Sequence, residues 1–283
     1  MPELPEVESI RLQLTKYVVG HKIEKTEINY KKCFQGDPNK LKQAKIGEIR
    51  RFGKAIVIDL NNKLSILIHV KMTGQLIYRG PNLSPAPAIS DKVKGGLGGK
   101  HTHVVFHLNK DAKLFFNDYR KFGWIKVVKT DEVEEDKFIK NIGPEPFKDL
   151  TIEYFTKTLS KTKRNIKSVL MDQKVVAGVG NIYANDALWL SGIHPTTPAH
   201  KLPPEKVKEL YHAIEQVLQR GLADGGASEN SFVTPDGADG NYQKHFLAYD
   251  KKGEKCVRCG GIFVKDKVGG RGSVYCPKCQ KKY

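Results

Sequence analysis

The sequence lacks any apolar run close to the ~20 residues that a membrane-spanning helix needs. It also lacks the basic and then apolar start of a secretory signal peptide, because Glu3 and Glu6 stand there. These absences predict an intracellular protein, cytoplasmic or nucleoid-associated. Acidic residues are also fewer than basic ones: the sequence has 31 Asp and Glu but 48 Lys and Arg, which gives a net charge of +17. Such a charge favours nucleic acid as partner, although a merely soluble basic protein would share it.

Cysteine is rare, and its placement is informative. Cys256 with Cys259 and Cys276 with Cys279 form two C-x2-C pairs, whereas Cys33 stands alone. Inside a cell these spacings are typical of a zinc site rather than of two disulfides. Four thiolates leave no open coordination position, so the sequence predicts one structural Zn²⁺ and no catalytic metal. Short apolar runs at 262–264 and 273–275 predict a hairpin between the two pairs, with Arg271 at its tip.

The first half of the chain has β-rich patterning after one helix. Helical spacing of apolar residues predicts a helix over residues 3–18. Eight strands are predicted at 22–29, 46–51, 55–60, 64–70, 75–78, 103–108, 114–116 and 124–128. The turn signals between them indicate an antiparallel sandwich or barrel.

The second half has helical patterning after a break. Two prolines and a glycine within 143–146 cannot continue a helix or a central strand, which places a linker there. Helices are predicted at 151–160, 164–171, 182–191 and 204–222. We therefore expect an α+β protein with a β-sandwich domain at 1–135, a linker at 136–150, a helical domain at 151–245 and a zinc finger at 246–283.

The N-terminus carries the residues best suited to chemistry. Pro2 is small enough to permit removal of Met1, which would expose a secondary amine. At the positive end of a helix such an amine loses its proton readily, because the dipole disfavours a cation. Glu3 and Glu6 share a helix face beside it. An amine with a carboxylate can form a Schiff base and move protons, although the same residues also suit an ordinary helix start.

Several polar and aromatic residues stand at predicted strand ends. Lys54 precedes an apolar strand, and His69 and Met72 flank a turn; a solvated lysine and a core methionine are the ordinary interpretations. Arg120 and Phe122 are two apart, so they point the same way from an extended segment. A cationic side chain next to an aromatic one can insert as a wedge between stacked bases and keep them separated.

A glycine-rich turn in the helical half suits phosphate binding. Gly178 and Gly180 allow close approach of the backbone, and Asn181 is predicted to be the N-cap of the next helix. Amide groups at a helix N-terminus bind phosphate. Lys163 and Lys167 on the preceding helix strengthen this prediction.

These segments, taken in order, resemble the formamidopyrimidine-DNA glycosylase (Fpg/Nei) family. The matching strings are MPELPE, RRFGK, HVKMTG, KHTH, NDYRKFG, GVGNIYA and the four-cysteine finger. Tyr119 and Lys121 depart from the family pattern DPRRFG, which puts the rigidity of that loop in doubt. The resemblance implies a β-sandwich, a helix-two-turn-helix domain and a zinc-finger hairpin, and it favours the Fpg branch.

The resemblance also implies roles for particular residues. Pro2 would attack the sugar C1′, Glu3 would act as general acid/base with Glu6 in support, and Lys54 and Arg271 would assist elimination. The residues implied to contact DNA are His69, Met72, His101, Arg120, Phe122, Lys163, Lys167 and Asn181. Residues 224–243 would form a loop that closes over the extruded base.

The activity so implied is that of a base-excision repair DNA glycosylase/AP lyase. Oxidised purines in double-stranded DNA, 8-oxoguanine and formamidopyrimidine, are the expected substrates of a monomeric enzyme. Two alternatives stay open: a Nei-type preference for oxidised pyrimidines, and a lesion-binding protein without catalysis if Met1 is retained.

Overall fold

The computed structural model describes residues 1–83 and 85–283. It separates into two compact units, one of residues 1–141 and 224–243 and one of residues 142–223 and 244–283. The four-segment division expected from the sequence stays a prediction. Among the described residues, no helix is both long and apolar enough to cross a membrane.

The described residues of the first unit form one α-helix and two sheets. Its elements are α1 (Leu4–Val18), β1 (Ile23–Ile28), β2 (Phe34–Gln35), β3 (Ile46–Phe52), β4 (Ala55–Leu60), β5 (Leu64–His69), β6 (Gly74–Arg79), β7 (Thr102–Leu108), β8 (Ala112–Asp118) and β9 (Trp124–Lys129). The sheet orders are β1-β7-β8-β6 and β2-β9-β5-β4-β3. All pairings are antiparallel except that of β2 with β9, which is parallel. The expected α+β fold with a β-sandwich is confirmed.

The core of this unit follows from the spacing of apolar residues. On α1, Val7, Ile10 and Leu14 share one face and are buried. They join one hydrophobic cluster with inward residues of both sheets, such as Ile56 of β4 and Phe116 of β8. The N-terminus of α1 is therefore fixed on a packed core rather than on a mobile tail.

The second unit contains four α-helices and a hairpin. They are α2 (Ile152–Ser160), α3 (Ile166–Leu170), α4 (Asn181–Leu190), α5 (Pro204–Ala223), β10 (Val264–Val268) and β11 (Arg271–Tyr275). Helix α4 packs against both α5 and β11. Short 3-10 helices in the two units cover Lys31–Cys33, Pro38–Leu41, Thr130–Glu132, Ala199–Lys201 and Tyr242–His245.

The hairpin strands are longer than predicted and the turn between them is shorter. The first strand begins at Val264 instead of covering 262–264, and Val268 pairs with Arg271 across a two-residue turn. Gly269 and Gly270 both have positive φ, at 57° and 78°, which is the conformation that such a turn requires. Arg271 therefore opens the second strand rather than standing at the tip.

Residues 224–243, here called the return loop, belong to the first unit although they follow α5 in sequence. The backbone N–H of Tyr78 on β6 donates to Pro235 O at 2.7 Å. The side chain of Arg79 donates to Asp236 O at 2.8 Å, and Asp236 N donates to Gln13 Oε1 of α1 at 3.0 Å. This segment, which contains neither α-helix nor β-strand, is thus held by hydrogen bonds to α1 and β6.

Candidate functional site

The N-terminus of α1 brings Pro2, Glu3 and Glu6 together. Pro2 is buried, whereas Met1 in front of it is 42% exposed. Glu3 is the N-cap residue, and its buried carboxylate accepts the backbone N–H of Glu6. In return, Glu3 N donates to Glu6 Oε2 at 2.7 Å. This reciprocal capping box satisfies helix donors that would otherwise lack partners and holds the Glu3 carboxylate next to Pro2 in the chain.

Glu6 also holds the return loop. Its second carboxylate oxygen accepts Ala227 N at 2.8 Å. Gly226 before it has φ of 88°, and a Cβ there would lie 2.9 Å from the Glu6 side chain. Glycine is the residue that tolerates both the positive φ and the close approach of the Glu6 side chain. Sequence reasoning did not identify this contact, and the pair Gly225-Gly226 was its only local signal.

Lys54 lies in the turn between β3 and β4 and is buried. Arg51 braces this turn, because its Nη1 donates to Gly53 O at 2.9 Å and its Nε donates to Glu8 of α1 at 2.8 Å. Burial raises the pKa of Glu8, but hydrogen bonds from Arg11 and Arg51 outweigh it and lower that pKa overall. The carboxylate therefore stays ionised, and it ties α1 to the turn that carries Lys54.

His69 ends β5 in an aromatic and cationic surrounding. Its ring is buried, with centroids 5.7 Å from Trp124 and 4.9 Å from Phe138. Burial, and then the charges of Lys71 and Lys54, lower the pKa of His69 to about 3. The imidazole is thus neutral, and because Nδ1 accepts Lys71 N at 2.9 Å, its proton must sit on Nε2.

This neutral histidine predicts a pH-dependent stability. Unfolded His69 takes up a proton below pH ~6.5, whereas the folded residue stays neutral down to about 3. The free energy of unfolding should therefore fall as the pH is lowered from 6.5 towards 4. One proton of difference corresponds to ~1.4 kcal/mol per pH unit.

Urea unfolding at a series of pH values, followed by tryptophan fluorescence, measures this slope. The variant His69→Gln keeps a polar side chain but cannot take up the proton. Its stability should decline less steeply than that of the wild type, by about 1 kcal/mol per pH unit. Equal slopes for the two proteins would show that His69 is not held neutral.

The predicted wedge residues are exposed at two turns. Met72, between β5 and β6, is 37% exposed, and Phe122, after β8, is 55% exposed. The Arg120 guanidinium carbon lies 4.9 Å from the centre of the Phe122 ring, a cation–π contact. The segment is a turn with Lys121 at φ 61°, not the extended segment that was expected. The two side chains nevertheless lie together, because the turn folds them onto one side.

Asp118, which sequence reasoning did not single out, organises both turns. Its buried carboxylate accepts Arg120 N at 3.1 Å and Gly123 N at 2.7 Å. It also accepts the hydroxyl of Thr73, next to Met72. One carboxylate thus fixes the backbone around Arg120, Phe122 and Met72, and the aspartate within NDYRKFG was its local signal.

The histidines of the KHTH segment have different surroundings. His103 donates through Nε2 to Asp118 O at 2.6 Å and so supports the same turn. His101 packs its ring against Tyr119. In the described part of the chain, its buried Nδ1 has no hydrogen-bond partner. Burial, and then the nearby lysines led by Lys100, lower the pKa of His101.

In the second unit, Lys163 is exposed but Lys167 is not. The Lys167 side chain is fully buried, at 0% exposed. Its ammonium donates to Gly272 O at 2.8 Å and Ser273 Oγ at 2.7 Å on β11, and to Asn185 Oδ1 at 3.2 Å on α4. The expected phosphate contact by Lys167 does not fit this placement, because three protein acceptors already surround the charge. Lys167 instead joins α3, α4 and the hairpin that bears Arg271.

Asn181 is the first residue of α4 rather than its N-cap. Gly180 takes the cap position with an extended backbone, at φ −138° and ψ −152°. The Asn181 side-chain oxygen accepts from Asn185 Nδ2 at 3.3 Å. Asn181 is nevertheless half-buried at the helix N-terminus, where backbone N–H groups favour an anion.

The four cysteines of the C-x2-C pairs converge in the second unit. Their Sγ atoms all lie within 4.8 Å of one another. Two of the separations are 3.7 Å, between Cys256 and Cys279, and 3.4 Å, between Cys259 and Cys276. A tetrahedral Zn²⁺ with Zn–S bonds of ~2.3 Å requires about 3.8 Å between sulfurs. The donor set and its spacing therefore fit one structural zinc ion, which would hold the base of the β10–β11 hairpin.

Three family models match successive parts of the chain. Residues 1–125 match the formamidopyrimidine-DNA glycosylase N-terminal domain, and residues 142–232 match the H2TH domain of the same glycosylase. Residues 253–282 match the zinc finger found in FPG and IleRS.

Full-length relatives carry the same description. The formamidopyrimidine-DNA glycosylase of Pelotomaculum thermopropionicum is 38% identical over 99% of both chains. That of Lactiplantibacillus plantarum is 38% identical, over 99% of this chain and all of its own.

Solved structures with the same fold contain damaged DNA. A complex of a Lactococcus lactis FPG mutant with Fapy-dG DNA has a TM-score of 0.88 at 34% identity. Complexes of the Lactococcus lactis Fpg with abasic-site DNA and with DNA containing an oxidized pyrimidine both have TM-scores of 0.87, at 34% and 35% identity. Each covers 99% of this chain and the whole of the other.

Proposed function

This chain belongs to the formamidopyrimidine-DNA glycosylase family, and we propose that it is a bifunctional DNA glycosylase/AP lyase that excises oxidised purines in base-excision repair. The observation that carries the proposal is the capping box at the start of α1. It holds the buried Glu3 carboxylate beside Pro2 in the chain, and a rigid core supports it. A nucleophilic amine with an adjacent proton carrier is what imine chemistry on a sugar needs.

The proposed reaction begins when loss of Met1 exposes the Pro2 amine. Its nitrogen attacks the sugar C1′, the bond from C1′ to the base breaks, and the base leaves with that electron pair and takes up a proton. Glu3 acts as general acid/base on the sugar, while Glu6 keeps the helix terminus in place. The Pro2 nitrogen then loses its proton, its lone pair breaks the C1′–O4′ bond and opens the sugar ring, and Glu3 protonates the departing O4′. The result is an iminium ion between Pro2 and C1′.

The iminium ion then permits strand cleavage. Loss of a C2′ proton to a base moves electrons towards the positive nitrogen and breaks the bond from C3′ to its phosphate oxygen. In a second elimination, loss of a C4′ proton to a base moves electrons towards the conjugated iminium nitrogen, and these electrons then expel the phosphate oxygen from C5′. Water hydrolyses the iminium ion and releases the sugar remnant from Pro2, which leaves a one-nucleoside gap. Lys54 and Arg271 stabilise the departing phosphates through charge-assisted hydrogen bonds.

The exposed residues of the first unit fit the handling of an interrupted base stack. Met72, Arg120 and Phe122 fill the space that an extruded nucleotide leaves, since they combine apolar surface with a cation at turns fixed by Asp118. Neutral His69 donates through Nε2 to a phosphate oxygen, and His101 contacts the backbone. In the second unit, Lys163 and Asn181 bind phosphates.

Damaged double-stranded DNA is the proposed partner of a monomeric enzyme. The net charge of +17 supports binding to a polyanion. Oxidised pyrimidines are a second candidate substrate class, because a similar protein has been captured on DNA that contains one. A lesion-binding protein without catalysis would follow if Met1 blocked the amine.

Excision assays on defined duplexes separate these candidates. Duplexes carry 8-oxoguanine, formamidopyrimidine or thymine glycol opposite cytosine or adenine, and single-turnover release of the base is measured. We expect the two purine lesions opposite cytosine to be excised faster than thymine glycol by about tenfold or more. The reverse order would support the pyrimidine alternative, and tight binding without release would support the non-catalytic one.

A further inference from the structure

The return loop lies against a second loop of the first unit, around residues 90–97. Ser90 N donates to Gly237 O at 2.9 Å. The Lys92 ammonium forms an ion pair with the carboxylate of Asp239. These contacts join segments that are more than 140 positions apart, so neither loop is an independent surface feature.

Gln75 on β6 connects both loops through one side chain. Its carboxamide nitrogen donates to Ser231 O at 2.7 Å and to Lys92 O at 3.1 Å. The side chain is only 4% exposed. Loss of this donor would leave the carbonyl oxygens of Ser231 and Lys92 without this hydrogen bond, and an unpaired buried acceptor lowers the stability of the fold.

A small apolar cluster completes the contact. Val93 from the 90–97 segment packs with Val233 of the return loop and Ile77 of β6, and all three are buried. Leu97 packs against the same cluster. Burial of apolar side chains is the main favourable term available to a segment without secondary structure, and it offsets the entropy of ordering the loop.

The opposite part of the return loop reaches the candidate site. Ala227 N donates to Glu6, whose other oxygen holds the N-cap residue Glu3. Ser231 Oγ donates to Met72 O at 2.8 Å, at one of the wedge turns. The return loop therefore runs from the candidate site to the 90–97 segment and is hydrogen-bonded to the protein at both ends.

We propose that Gln75 and residues 90–97, here called the latch, hold the return loop in place beside the site and thereby promote excision of the damaged base. This inference rests on the proposed function and deepens it. The latch acts through the loop and does not touch the reacting atoms, so Gln75 and Lys92 are positioning residues. An abasic site has no base to enclose, so strand cleavage at a preformed abasic site does not need the latch.

Charge reversal of the ion pair tests this proposal in the full-length protein. Lys92→Glu and Asp239→Lys each place like charges in contact, and the double variant restores opposite charges. Each single variant should slow release of 8-oxoguanine about fivefold, whereas cleavage of preformed abasic DNA stays within about twofold. The double variant should recover most of the loss.

Hydrogen exchange of the free protein gives a second readout that does not depend on activity. Amides within 227–240 should exchange faster in each single variant and in Gln75→Glu, which turns a buried donor into an acceptor, and recover in the double variant. The proposal is overturned if exchange there is unchanged, or if excision and abasic cleavage fall equally. If the wild type excises no base at all, the proposed function fails, while the exchange result still decides whether the latch orders the loop.

Discussion

Protein that retains Met1 is expected to lose covalent trapping on abasic DNA by at least about 100-fold, because the nucleophile is then absent. With Met1 in place, the Pro2 nitrogen is part of a peptide bond, and its lone pair is delocalised into the carbonyl group. Only removal of Met1 makes it a secondary amine. Borohydride reduction of the iminium ion, followed by gel electrophoresis of the adduct, measures the difference.

The matched control for this experiment is the same sequence in two processing states. Protein made with methionine aminopeptidase inhibited keeps Met1, and intact mass identifies each form. Pro2→Gly is not a suitable control, because glycine also offers an amine after trimming. Peptide mapping of the reduced adduct must place the DNA on Pro2. An adduct on buried Lys54, or equal trapping of both forms, would refute the proposed mechanism.

Removal of zinc is expected to unfold the β10–β11 hairpin and lower DNA affinity on the order of 100-fold. Four thiolates so close together repel one another unless a metal ion holds them, and the adjoining apolar cluster of Trp189, Phe263 and Val274 is small. Arg271 loses its fixed place when the hairpin unfolds. The dissociation constant for abasic-analogue DNA is measured before chelation, after chelation and after zinc is restored. The ratio of these values gives the loss of affinity.

Cys33 provides the matched control for the zinc ligands. It lies in the first unit, where its buried Sγ donates to Tyr30 O at 3.1 Å, and burial raises its pKa to about 11. Cys276→Ser should reproduce the effect of chelation, whereas Cys33→Ser should retain DNA affinity and zinc content. Unchanged affinity after verified loss of zinc would show that the finger does not carry a DNA contact.

Lys167 illustrates a side-chain contact that the local sequence pattern did not predict. A lysine near a glycine-rich turn suits a phosphate contact, and the sequence supported that role. The structure gives its ammonium three protein acceptors on α4 and β11, the farthest of which is 106 positions away. Sequence spacing cannot show which acceptors will surround a charge, because that depends on packing between elements distant in the chain.

The sequence by itself determined the elements and groups that depend on neighbours in the chain. Apolar spacing specified α1 and most strands of the first unit, C-x2-C pairs specified the zinc ligands, and MPELPE placed a carboxylate beside Pro2. The tertiary structure alone decided the placement of the return loop, the neutral state of His69 and the contact between Glu6 and Ala227, 221 positions apart. The physical reason is that burial, hydrogen-bond pairing and local charge arise from contacts between remote segments, which exist only once the chain has folded.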